Sequence, residues 1–128
     1  MKIEKLIWIS EAAQEAGLAI IDGEFSCFAF SQPCNYSEGD VIEGSLHAFM
    51  SKNIMLSRNE GVSLLRLNEK TLPHKCTAVV DNKLEALVRI GSIIIELDSS
   101  IPAGVEDGML VDFECSRLDV WYKKGCSK

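Results

Sequence analysis

Two stretches decide the fold when they are set side by side: Asp22–Phe49, DGEFSCFAFSQPCNYSEGDVIEGSLHAF, and Ile90–Leu118, IGSIIIELDSSIPAGVEDGMLVDFECSRL. Gly23 matches Gly91, each ahead of an apolar run, and Gln32-Pro33 matches Ile101-Pro102 with slight slack in the loop. Glu38-Gly39 matches Asp107-Gly108, and each of these glycines opens a long strand. Val41-Ile42-Glu43 then matches Leu110-Val111-Asp112. Upstream, a short strand and a connector lead to Leu18–Asp22 in one half and to Leu84–Ile90 in the other. Turn residues and strand lengths recur together at a shift of roughly 70 residues, the mark of an internal repeat. The expected halves run over about 5–58 and 73–122, with a hairpin or linker at 59–72, inside a single domain of 128 residues.

Working outward, the runs are short, rich in β-branched and aromatic residues, and punctuated by Gly, Asn and Asp, which predicts strands. The candidates are Leu6–Ile9, Leu18–Asp22, Glu24–Ser31, Asp40–Phe49, Asn53–Ser57, Val62–Leu67, Cys76–Val80, Leu84–Ile90, Ser92–Leu97 and Met109–Tyr122. The stretch IMLSRNEGVSLLRL reads as a hairpin with Gly61 at a left-handed position. Helical character is confined to about 11–16, where Ser10 would cap a two-turn helix and Gly17 would stop it. The fold class is therefore all-β: a small barrel or sandwich of about 8–10 short strands built from two similar halves. Halves of that length are near the lower limit for an independent core, so a shared one is expected.

Residues 16–57 resemble an OB-fold module of the ribosomal-protein RNA-binding type. The outline is carried by GDVIEGSL (Gly39–Leu46) and NIMLS (Asn53–Ser57), after a Gly-turn hairpin. The resemblance implies a small OB-like barrel and an activity in binding single-stranded nucleic acid. Such modules carry lysine and arginine on their binding strands, whereas residues 22–60 hold six acids (Asp22, Glu24, Glu38, Asp40, Glu43, Glu60) against Lys52 and Arg58.

Side chains alternate along a strand, and the second copy tells the two faces of the first apart. Ile93, Ile95 and Leu97 lie at the positions of Phe25, Cys27 and Ala29; Glu96 and Asp98 lie at those of Phe28 and Phe30. An unpaired carboxylate is costly to bury, so Phe25, Cys27 and Ala29 are assigned to the core and Phe28 and Phe30 to the other face. Simple alternation also sends Leu118, Val120 and Tyr122 to the face opposite Val111, Phe113 and Cys115, unless a bulge intervenes. Phe28, Phe30, Leu118, Val120 and Tyr122 together form the expected partner surface.

The net charge of −6 opposes a phosphate backbone. If nucleic acid is bound at all, Arg58, Arg66, Lys70 and Lys75 are the residues to hold it. Five cysteines without a C-x-x-C pair, in a chain whose N-terminal apolar run stops at Ser10-Glu11, read as reduced thiols of a cytoplasmic protein. Cys27 and Cys115 read as small buried hydrophobes, and Cys34, in a loop after Pro33, as the most accessible thiol. His47 reads as a surface-strand residue and His74 as a linker residue. The spacing of His74 and Cys76 does not match paired zinc ligands, no catalytic or phosphate-binding motif is present, and no cofactor or membrane association is expected. The function expected is that of a non-catalytic interaction module acting on a protein partner or on itself, with single-stranded nucleic-acid binding as the alternative.

Overall fold

Short alternating runs become short strands. The computed structural model describes residues 1–66 and 73–121, and in these it holds eleven strands and no helix. They are β1 (Lys2–Ser10), β2 (Glu15–Asp22), β3 (Phe25–Ser31), β4 (Leu46–Phe49), β5 (Lys52–Leu56), β6 (Ser63–Arg66), β7 (His74–Asn82), β8 (Leu87–Ile90), β9 (Ile93–Glu96), β10 (Leu110–Cys115) and β11 (Arg117–Asp119). Their order in the sheet is β1-β2-β3-β11-β4-β9-β8-β7-β10-β5, with β6 added to β7.

The order shows how the two ends of the chain are joined. The meander β1-β2-β3 continues into β11, and the meander β7-β8-β9 continues into β4, both by parallel pairing. β4 and β11 then pair antiparallel, with Leu118 opposite Ala48. Each end of the chain lends a strand to the other, so neither can bury its apolar side alone.

The same hydrogen bonds recur at matching positions of the two segments. Ile3 N–H donates to Asp40 O at 2.9 Å and Gly39 N–H to Ile3 O at 2.8 Å; Val80 N–H donates to Met109 O at 2.9 Å and Gly108 N–H to Val80 O at 2.8 Å. Gly39 and Gly108 have φ near +90°, at 90° and 88°, a left-handed conformation that a Cβ disfavours. The Glu38 carboxylate takes the Leu6 N–H at 2.9 Å, and the Asp107 carboxylate takes the Lys83 N–H at 2.8 Å. Ser10 Oγ accepts from Ala13 N–H as Asn82 Oδ1 accepts from Glu85 N–H. One difference stands out: the arm from Ile3 to Ser10 is longer than its counterpart from Val80 to Asn82.

The core follows from the register. Leu18, Ala29, Leu118 and Ala48 pair in sequence across β2, β3, β11 and β4, and all four are buried. Ile20, Cys27, Ile42, Leu46, Val88, Ile90, Ile93, Ile95, Leu97, Val111, Phe113 and Cys115 complete its centre. Phe25 is half-buried and packs on this cluster.

Four expectations from the sequence are corrected. The sheet does not close into a barrel: β1 and β5 end it, and beyond β1 only an isolated bridge from Lys2 to Val41 forms. The stretch at about 11–16 is a turn and the start of β2. Gln14 takes φ 57° there, and Ser10 caps the turn as it would have capped a helix; two helical turns are too few to compete with an antiparallel ladder. β5 and β6 do not form a hairpin, because β5 pairs with β10 and β6 with β7, and Gly61 is not in a left-handed conformation. Lastly, Leu118 and Val120 belong to the core rather than to a surface, at 0% and 3% exposure. The strand breaks at Ser116, between β10 and β11, which adds a residue to the alternation and returns both side chains inward. Two further residues change place: Cys34, expected to be accessible, is buried, and His74, expected in a linker, is fully buried on β7.

Candidate functional site

The row beside the buried one faces outward. Ile7, Gly17, Phe30, Asp119, His47 and Glu96 pair in sequence across β1, β2, β3, β11, β4 and β9. Because successive residues of a strand point to opposite faces, these share the outer side of the sheet, as do Phe28 and Phe49. The result is a face bearing several rings and two arginines.

Phe28 and Phe30 are half-buried, each covered by a guanidinium. Arg66 lies 4.2 Å from the centre of the Phe28 ring. Arg117 lies 4.8 Å from the Phe30 ring and 4.6 Å from the Phe49 ring. Its Nε donates to Asp119 Oδ1 at 2.7 Å and its Nη2 to Asp119 Oδ2 at 3.4 Å. Cation–π contacts of this kind contribute about 0.5–1 kcal/mol where exposed. At the C-terminal end of β11, Trp121 stacks on His47 with ring centres 3.5 Å apart and planes 8° apart. Trp121 and Phe49 remain largely accessible, at 62% and 43%.

Three carboxylates border these rings. Asp98 accepts the backbone N–H groups of Met50 at 2.7 Å and Ser51 at 2.9 Å. Partial burial pushes its carboxyl up, but the hydrogen bonds from Ser51 and Met50 outweigh that and hold it below the usual carboxylate range. Asp119 is occupied by Arg117, and Glu96 stands beside His47 in the neighbouring strand. Two clefts run beside Trp121: about 250 Å³ between it, Tyr36 and Ile42, and about 180 Å³ between it, Phe49 and the three acids.

Depressed carboxyls make stability depend on acidity. Asp22 is held low by the Ser92 side chain and backbone. Asp112 is pushed up by partial burial and more than restored by Thr77, Ser57 and Asn59. With the folded values below the unfolded ones, the unfolded chain takes up protons first as pH falls. The contribution of these groups is then complete above about pH 4 and is lost below it. Urea unfolding is expected to show Asp98→Asn less stable than the parent at pH 7, with the gap narrowing by pH 3. A gap that stays constant, or widens, would show that Asp98 does not titrate as described.

Of the four basic residues that sequence reasoning held in reserve, the three among the described residues are not gathered. Lys75 stands opposite Glu114 on one side and Leu65 on the other. Arg66 covers Phe28, Arg58 is exposed beyond β5, and Lys70 lies outside the described residues, as does Tyr122. His74 Nε2 accepts the Phe28 N–H at 3.2 Å. Cys27, Cys76 and Cys115 lie in the core; burial pushes the Cys27 and Cys115 thiols up to about 12. Among the described residues no group of three or more His, Cys, Asp or Glu is placed to hold a metal ion, and no helix is long and apolar enough to cross a membrane. Sequence reasoning placed Phe28 and Phe30 but missed Phe49, Arg117 and Trp121, whose common location depends on the antiparallel pairing of β11 with β4. No protein-family model, curated protein or solved structure matches the chain.

Proposed function

We propose that the chain is a non-catalytic β-sheet module that binds a protein partner through the outer face formed by Phe30, Phe49, Arg117, His47 and Trp121. The carrying observation is the set of accessible rings and a ring-clamped arginine on one open face of a sheet. Aromatic residues and arginine are the types enriched at the centres of protein interfaces. The adjoining clefts, about 180 and 250 Å³, are smaller than the roughly 300–1,000 Å³ of sites that enclose small ligands. Single-stranded nucleic acid is the lesser alternative, because Arg66 and Arg117 cover rings and Arg117 also pairs with Asp119, beside further acids.

The test is selection of a random peptide library on the immobilised full chain, followed by binding to a Phe49→Ser/Trp121→Ser variant. Enriched peptides are expected to bind the parent and to lose about tenfold or more on the variant, a loss of about 1.4 kcal/mol. Enrichment of nothing, or of peptides indifferent to the variant, sinks the reading. Salt-dependent binding of labelled single strands that is lost in the same variant would replace it with the nucleic-acid reading. Light scattering of the parent, compared with the variant, reveals whether a second copy of the chain is the partner.

A further inference from the structure

We infer that a second copy of this chain pairs antiparallel with the free edge of β1, Trp8 exchanging backbone hydrogen bonds with Trp8 of the other copy. This surface lies at the end of the sheet and does not rest on the reading of the ringed face. The first part of the edge is closed. Ile3 bonds to Asp40 and Gly39, and the Glu38 carboxylate takes the Leu6 N–H. Leu6, Ile7 and Trp8 keep regular register with Leu18, Gly17 and Ala16 of β2. The N–H and C=O of Trp8 therefore point the same way as the Leu6 N–H, away from β2. Among the described residues no strand pairs with them.

The side chains beside this opening are apolar. Ile7, Trp8 and Ile9 are exposed at 51%, 42% and 57%, and consecutive exposed apolar residues on an unpaired strand invite a further strand. The matching arm of the second segment stops at Asn82, so the repeated fold does not need this extension.

Two observations select a second copy over an unrelated strand. First, Trp8 is the residue of the regular run whose outward backbone groups are unoccupied. A twofold pairing centred on it needs no others, because each Trp8 N–H donates to the C=O of the other Trp8. A longer ladder would have to displace Glu38 from Leu6. Second, the charges along the arm are ordered. Lys2 and Lys5, with Glu4 between them, stand at its start, and Glu11 and Glu15 at its end. Neither Lys5 nor Glu11 is in an ion pair among the described residues. Counting outward from Trp8, antiparallel pairing brings Ile7 beside Ile9 and Lys5 beside Glu11 of the other copy, each contact occurring twice. Parallel pairing would instead set like charges together, which is destabilising. The two indoles, directly opposite, fall on the same side of the joined sheet and form a cross-strand aromatic pair.

Sedimentation of the full chain over about 1–500 μM is expected to show a monomer–dimer equilibrium with a dissociation constant on the order of 10–100 μM, in keeping with a small interface. Ile7→Lys/Ile9→Lys, at exposed positions, is expected to leave a folded monomer throughout. Lys5→Glu and Glu11→Lys are each expected to weaken dimerisation about fivefold, because both symmetric contacts become repulsive. The combined swap Lys5→Glu/Glu11→Lys is expected to restore it, which a merely unfolded variant would not do. In amide exchange followed by NMR, the Trp8 N–H is expected to exchange more slowly as the concentration rises.

A monomer at every concentration, a dimer untouched by Ile7→Lys/Ile9→Lys, a charge swap that fails to restore association, or Trp8 exchange independent of concentration overturns the inference. A dimer kept in the β1 variants but lost in Phe49→Ser/Trp121→Ser would move the second copy to the ringed face, overturning this edge while upholding that face. A dimer lost in the β1 variants alone upholds the edge, whatever the library selection shows for the face.

Discussion

Leu118→Ala is expected to lower the stability of the protein by about 2–5 kcal/mol, measured as a lower urea midpoint at an unchanged slope. Leu118 is fully buried and sits where the chain's two ends meet, between Ala29 of β3 and Ala48 of β4. Both neighbours are alanines with no side chain to extend into the space a leucine leaves. The cavity would therefore stay open, which favours the upper part of that range. Trp121→Ala, at an accessible site nearby, is expected to cost about 0.5 kcal/mol or less. A loss below about 1 kcal/mol for Leu118→Ala would mean that the side chain faces outward, as unbroken alternation along Met109–Tyr122 had implied.

The next largest effect is expected from Gly17→Ala. Gly17 lies in β2 with an ordinary extended backbone, so the substitution brings no conformational strain of its own. A Cβ there would lie 2.7 Å from Phe28 Cε2 and closer still to Cζ. The Phe28 ring cannot simply swing away: its backbone N–H is held by His74 and its face is covered by Arg66. The cost should be about 1–3 kcal/mol, typical of overpacking. Phe28→Ala in the Gly17→Ala background should recover part of it, giving a coupling energy of about 0.5–3 kcal/mol in a double-mutant cycle. Strict additivity would show that the ring and the glycine do not meet.

The pair also explains a pattern visible in the sequence. Phe28 and Phe30 stand where the second segment carries Glu96 and Asp98, and that contrast placed them off the core. They are nevertheless half-covered, because Gly17 lets the Phe28 ring lie down on β2 and arginines from β6 and β11 close over the two rings. The arginines come from distant parts of the chain, one of them joined by a parallel pairing that no turn residue signals. Alternation could tell which side of a strand each phenylalanine takes; it could not tell what would arrive on that side.

The same division runs through the molecule. The strand content, the buried side of Phe25–Ser31 and of Ile93–Leu97, and the glycine turns at Gly39 and Gly108 follow from local causes: steric freedom at glycine, the pleat, and the cost of burying a carboxylate. Local causes did not suffice at Ser10–Gln14, where a capping serine and alanines serve a helix or a turn equally well and the β1–β2 ladder chose the turn. They did not suffice at Ser116, where one extra residue turns Leu118 and Val120 from outside to inside. Nor did they pair β5 with β10, or bring Phe49, Arg117 and Trp121 onto one face. Those outcomes depend on contacts between residues far apart in the chain, and their free energy exists only once the sheet has formed.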